Sequence, residues 1–328
     1  MTVVNAIAVL LGLGLTAYAL LGGADFGGGV WDLLAFGPRK KIQREVIAES
    51  MGPVWEANHV WLVFVLIGLF SAFPLAFASY SRALALPLSL ALLGIVLRGS
   101  AFVFRQYGGN GRLARTWGRV FAVTSTITPF VLGAGAASVA TGRLAADGSS
   151  GLLAPFQSPL ALCAGALAVS CTAYLAAVFL CRDAERVHKG LGELFRTRAL
   201  AAAVVTGALA VVTLIAAATD APLLFAALTS RGLVFMVVSI AGGVLGLWLL
   251  WRRAYRTARI AAGLAPTGVL WGWWLAQYPA LGVGNLSLPG TAAPPAVVLA
   301  VGIILFAGIS CVIPALVVLF RVFSRPPA

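Results

Sequence analysis

Long apolar runs alternate with short, polar and mostly basic clusters along the whole chain. The first run starts at about Val3 and stays apolar through Phe36; the others lie near residues 53–77, 83–104, 118–140, 158–181, 199–219, 232–251, 258–281 and 295–320. A helix needs about 20 apolar residues to cross a bilayer, so the pattern predicts an all-α integral membrane protein with about nine transmembrane helices. Short connections make consecutive helices antiparallel neighbours. No polar stretch is long enough to bury a core of its own. Residues 1–328 therefore read as a single polytopic membrane domain, with helices 1–4 at about 3–140, helices 5–8 at about 158–281 and helix 9 at about 295–320. The N-terminus has no basic n-region, and its apolar run is too long for an h-region, so no cleavable signal peptide is expected.

Composition agrees. Of 328 residues 61% are hydrophobic and 10% charged, against roughly 25% charged in soluble domains; disorder is excluded by the same apolar excess. The formal charge of +13 invites a nucleic-acid partner, but the placement of the cations argues for none. Loop 1–2 carries Arg39, Lys40, Lys41 and Arg44, and loop 3–4 carries Arg105, Arg112, Arg115 and Arg119. Loop 5–6 carries Arg182, Arg186, Lys189, Arg196 and Arg198, loop 7–8 carries Arg252, Arg253, Arg256 and Arg259, and the tail adds Arg321 and Arg325. That puts 19 of 23 basic residues on one side, which predicts the N-terminus outside and the C-terminus cytoplasmic. An odd number of spans is needed for this count. Cys163, Cys171, Cys181 and Cys311 form no C-x-x-C pair, and their apolar helical surroundings favour buried free thiols over a disulfide framework or zinc site.

Two of the ten carboxylates fall deep inside predicted spans. Asp25 lies about 16 Å along its helix from Phe36, and Glu56 about 18 Å along the next helix from Arg44, so adjacent antiparallel helices carry them to a similar depth. An ionised group there is normally paired, hydrated or protonated. Asp32 and Glu49 stand seven residues from Asp25 and Glu56, a two-turn spacing that keeps each pair on one helix face. Such a ladder suits proton entry or a hydrated cation. The plainer alternatives are acids neutralised by an arginine such as Arg98, with Asp32 and Glu49 solvated near the interface. His59, three residues after Glu56, can shuttle protons or simply pack. The Gly23-x-x-x-Gly27 spacing favours close helix approach; no Lys-Ser/Thr follows to make a phosphate loop. With His59 and His188 the only histidines, a set of haems has no ligands here; redox cofactors are expected in another chain. The Asn285-Leu286-Ser287 sequon is discounted as a chance match.

Two segments together resemble subunit II of the cytochrome bd-type quinol oxidases. Gly22-Gly23-Ala24-Asp25-Phe26-Gly27-Gly28-Gly29, followed by Leu33-Leu34, is similar to the family's D-G-F-D-x-G-x-G signature. Pro53-Val54-Trp55-Glu56-Ala57-Asn58-His59-Val60-Trp61-Leu62 is similar to its P-x-W-[D/E]-x-N-x-V-W-L stretch. Arg98 with Phe102, Phe104 and Arg105 is a third, weaker match. The motifs cover the first third of the chain. The resemblance implies two four-helix bundles plus a peripheral helix and a pseudo-symmetric heterodimer with a haem-bearing subunit I. It implies a complex that oxidises quinol from the quinone pool and reduces O2 to water in a bacterial or archaeal cell membrane. Haem b and haem d-type centres would lie in the partner, and a small single-helix subunit is compatible. It also implies a hydrated cation site and a cytoplasmic proton route at Asp25 and Glu56, with Trp55, Asn58, Trp61 and Arg98 as motif support. Gly22 replaces the family's first Asp, and Val103 stands where an acid is frequent, which implies either a rerouted proton path or a smaller contribution to it from this subunit. The rival class is a proton-coupled secondary transporter, which paired interrupted helices would favour; a scaffold without chemistry is the third.

Overall fold

A computed structural model describes residues 2–51, 55–107, 111–284 and 286–323. Those residues are overwhelmingly helical; among them the extended pairing is an isolated antiparallel bridge between Ala280 and Ser287. The first span is one rod of α1 (Val3–Ala17), a π-helical turn (Tyr18–Gly22) and α2 (Gly23–Leu33). Then follow α3 (Lys40–Met51), α4 (Trp55–Ala72), α5 (Pro74–Ala83), α6 (Ala85–Tyr107), α7 (Arg112–Val139), α8 (Pro159–Val187) and α9 (Leu191–Asp220). The chain ends with α10 (Pro222–Leu228), α11 (Leu233–Trp251), α12 (Tyr255–Gln277) and α13 (Pro295–Phe323).

Seven of these helical segments are long and apolar enough to cross a membrane, or eight if the bent pair α4–α5 is one span. The protein is thus a multi-pass membrane protein. The remaining predicted span is α12, long enough but diluted by Pro266 and by Trp271, Trp273 and Trp274. The continuous span expected over 53–77 is corrected: the helix breaks at Phe73 and turns by 117°. Pro74 sits at the first position of α5, where a missing N–H is tolerated but a continuing helix is not. A second correction concerns the basic clusters. Arg182 and Arg186 are on α8, and Arg196 and Arg198 on α9, because helices extend past the apolar stretch into the polar boundary. The loop 1–2 region folds as amphipathic α3, with Val46 and Ile47 buried and Lys41 and Glu45 paired on its outer face at 3.8 Å.

Helix ends follow the local sequence. Ser158 caps α8, its Oγ accepting the Ala161 N–H at 3.0 Å, with Pro159 at the first helical position. Asp220, at the far end of α9, adds a second acceptor to that same terminus by taking the Leu160 N–H at 3.0 Å.

The interior is built on α8, which packs against α2, α7, α9 and α12. Close approach to α2 depends on glycine. A Cβ on Gly27 would overlap the Thr172 carbonyl, and one on Gly29 would overlap Ser125 of α7. Gly23, the other half of the predicted motif, is looser, with a Cβ 3.5 Å from Thr172 Cγ2. Trp31 Nε1 then donates to the Ala173 carbonyl at 2.7 Å, fixing the register of α2 on α8. Outward faces of α9, α11 and α13 present Val, Ile and Leu side chains, a surface suited to lipid or another subunit rather than water.

Candidate functional site

The π-helical turn in the first span puts Tyr18 and Asp25 two turns apart across a locally widened backbone; single π turns are frequent at functional sites. Asp25 is buried, and its Oδ2 accepts a hydrogen bond from Asn58 Nδ2 of α4. Arg98 of α6 is buried as well, its guanidinium over the rings of Phe26 (4.7 Å) and Phe121 (5.2 Å), and its Nε donates to Ser125 Oγ at 3.0 Å. Asp25 and Arg98 act on each other electrostatically and both act on Tyr18, yet among the described residues no carboxylate lies within 4 Å of Arg98. Neutralisation by direct ion pairing with Arg98 is therefore not what Asp25 shows.

Four buried polar atoms around this carboxylate have no hydrogen-bond partner among the described residues: Tyr18 Oη, Asn58 Oδ1, Trp61 Nε1 and Arg98 Nη2. Buried groups of this kind normally find a protein atom or ordered water. His59, half-buried, presents its ring edge-on to Tyr18 at 6.0 Å. Glu56 and Trp55 belong to the first turn of α4, but their side chains lie outside the described residues, as do Pro53, Val54 and Asn285. The backbone of Glu56 is two residues from Asn58, which itself holds Asp25.

Asp32, the companion of Asp25, is held by two arginines. Asp32 is not solvated: it is 1% exposed and paired with Arg105 Nη1 at 2.9 Å and Arg44 Nε at 3.6 Å. Arg44 also donates to the Asp32 carbonyl at 3.1 and 3.3 Å. Glu49 is exposed on α3. The shared face expected for Glu49 and Glu56 lies outside the described residues, which include neither residues 52–54 nor the Glu56 side chain. Tyr18 and Ser125 were not singled out from the sequence; Tyr18 stands seven residues before Asp25, the same two-turn signal that drew notice to Asp32.

Among the described residues no group of three His, Cys, Asp or Glu side chains is assembled to hold a metal. The four cysteines are free, but the burial expected of them holds for Cys181 alone: Cys163 and Cys171 are half-buried, and Cys311 is exposed on the outward face of α13.

Comparison with known proteins places these features. The family described as cytochrome bd terminal oxidase subunit II matches residues 4–323. The chain belongs to the cytochrome bd terminal oxidase subunit II family. It is 33% identical over 125 residues to cytochrome bd ubiquinol oxidase subunit 2 of Bacillus subtilis, covering 38% of this chain and 36% of that relative. It is 28% identical over 125 residues to cytochrome bd-I ubiquinol oxidase subunit 2 of Escherichia coli, covering 38% and 32%. These aligned stretches span about a third of the curated relatives. A chain in the structure of bd oxidase from Geobacillus thermodenitrificans superposes with a TM-score of 0.83 at 25% identity, over 99% of each chain. In this subunit II, Asp25, Asn58, Trp61 and Arg98, quoted separately as motif letters, come from three helices into one buried cluster with Tyr18 and Phe26.

Proposed function

We propose that this chain is the haem-free subunit II of a cytochrome bd-type quinol oxidase in a bacterial or archaeal cell membrane. It forms one polytopic domain of two four-helix bundles and a peripheral α13, with the N-terminus outside and the C-terminus cytoplasmic. It pairs with a haem-bearing subunit I, with room for a small single-helix subunit. The partner holds haem b and haem d-type centres, oxidises quinol from the membrane pool and reduces O2 to water. This chain supports that partner and handles protons or a hydrated cation at Asp25 and Glu56.

The observation that carries the site reading is Asp25 buried on Asn58 in one cluster with Arg98 and with polar atoms that lack a partner among the described residues. Tyr18 Oη, Asn58 Oδ1 and the Asp25 carboxylate are hard oxygen donors, the kind a hydrated cation accepts. A water chain along the same atoms would connect them to His59. Asp32, held by Arg44 and Arg105, serves to anchor α2 to α3 and α6 rather than as an entry acid.

The experiment is quinol-driven O2 consumption by the purified complex carrying Asp25→Asn. Turnover falls at least roughly tenfold, a rise of about 1.4 kcal/mol per decade in the limiting barrier, with partial rescue by Asp25→Glu. Full turnover with Asp25→Asn and Glu56→Gln together removes the proton role and leaves the family assignment intact. The transporter reading draws on the broken pair α4–α5; uptake driven by a proton gradient without O2 consumption would favour it.

A further inference from the structure

The end of α8 and the sharp α11–α12 connection enclose a surface recess of about 450 Å³ lined by Arg182, Arg253, Ala254, Tyr255, Arg256 and Thr257. It is shaped by Arg253, whose φ of 59° is the left-handed conformation that turns the chain between the two helices. The charge here is not balanced. Arg259 is neutralised by Asp183 at 3.0 Å, and Arg253 is held by Glu193 at 3.4 Å. Arg182, Arg186 and Arg256 have no carboxylate oxygen within 4 Å among the described residues. Partial desolvation and the like charges of Arg186, Arg256 and Arg259 all disfavour the charged form of Arg182, against the opposing charge of Asp183. Two unmatched cations lining one concavity, Arg182 and Arg256, beside Tyr255 and Thr257, form a cradle for an anion with several acceptor oxygens.

The surroundings decide which source supplies that anion. Arg256, Ile260 and Leu264 follow one another at four-residue intervals, hence on one face of α12, and Ile260 and Leu264 are exposed. At the end of α11, Trp248 and Trp251 are exposed too, with Arg252 lying over the Trp248 ring at 5.4 Å, the arrangement of a membrane-boundary belt. A molecule held here by its phosphate has an apolar helix face directly beneath it. A soluble phosphate would make no use of that face. Basic recesses between membrane helices bind anionic lipid headgroups in this manner.

We infer that the recess between the end of α8 and the start of α12 is a binding site for the phosphodiester headgroup of an anionic phospholipid, whose acyl chains lie along Ile260 and Leu264.

The test uses the complex purified from its native membrane, delipidated in mild detergent, with native mass spectrometry and thermal-shift titration as readouts. The probes are phosphatidylglycerol, phosphatidylcholine and inorganic phosphate. Phosphatidylglycerol binds and raises the melting temperature, phosphatidylcholine at least tenfold more weakly. Arg182→Gln with Arg256→Gln weakens phosphatidylglycerol binding about thirtyfold, and either alone about fivefold. Arg256→Lys keeps most of the affinity, and Arg252→Gln, outside the recess, changes it little. The inference is overturned by equal binding of phosphatidylglycerol to the wild type and the double variant. It is also overturned if inorganic phosphate displaces the lipid at equal concentration, which would make this a soluble-anion site. A double variant that fails to assemble is replaced by Arg182→Lys with Arg256→Gln, for which an unchanged affinity overturns the inference equally.

Discussion

Placing a methyl group on Gly27 should separate the two helices that position Asp25. A Cβ at that position would overlap the carbonyl group of Thr172 and come within 2.8 Å of Ala176 Cβ. The first obstacle is the backbone of α8, which has no rotamer to yield. One turn along α2, the Trp31 indole N–H is bonded to the Ala173 carbonyl at 2.7 Å, so sliding along the axis breaks a buried hydrogen bond. What remains is lateral movement of α2 by about 1 Å, which forfeits a quarter to a half of each dispersion contact along the seam. Overpacking of this sort costs about 1–3 kcal/mol, and with backbone as the obstacle the value should reach about 3 kcal/mol. The assay is equilibrium unfolding of the detergent-solubilised complex followed by tryptophan fluorescence. Gly207→Ala on α9, where a Cβ would meet nothing within 4 Å, is the control and should gain up to about 1 kcal/mol from helix propensity. Gly23→Ala, with its Cβ in ordinary contact at 3.5 Å, should fall near the control. The order Gly27→Ala far below Gly23→Ala and Gly207→Ala is the prediction. Equal stability of all three would refute the claim that α2 and α8 touch at backbone distance.

Three further outcomes are expected. Asp32→Asn leaves Arg105 and Arg44 without their buried acceptor charge, so the complex should lose roughly 1.5–3 kcal/mol, read as a lowered unfolding midpoint. Trp31→Phe keeps the ring but removes the 2.7 Å bond to Ala173; a loss of about 1 kcal/mol is expected in the same assay. Asp147, in the loop after α7, takes the Ser149 N–H at 2.9 Å, and this holds its carboxyl below the usual carboxylate range. A folded pKa below the unfolded one means that its contribution is present above the unfolded pKa and disappears as pH falls through the folded value. The protection factor of the Ser149 amide should drop on acidification below the ordinary Asp range, and Asp147→Ala should abolish that pH dependence.

What the sequence made legible follows from which forces act locally. Apolar runs of membrane length are written residue by residue, so the helices at 118–140, 158–181, 232–251 and 295–320 reappear at nearly those places. The break at Phe73 was hidden because the run stays apolar through it; the clue was Pro74 alone. Helix α3 was hidden because its amphipathic face, Val46 and Ile47, is short and lies among basic residues. At the site, Asp25 stood out because a lone acid in an apolar run needs an explanation. Its real partner, Asn58, is 33 residues away, and the pairing of Asp32 with Arg105 spans 73. Tertiary packing alone brings such pairs together, and no spacing rule along one helix reports them. Arg198 teaches the same lesson. It reads as a loop cation, yet it is buried on α9 against Trp31, Phe36 and Phe195, with Gln43 accepting its hydrogen bond at 2.8 Å.

The most direct test of the central claim is a reduced-minus-oxidised visible spectrum of the tagged chain purified from its native membrane, with co-purifying proteins identified by mass spectrometry. The account predicts haem b and haem d-type bands arriving with a second large membrane subunit in equal amount. A monodisperse chain with no haem bands and no such subunit would contradict it.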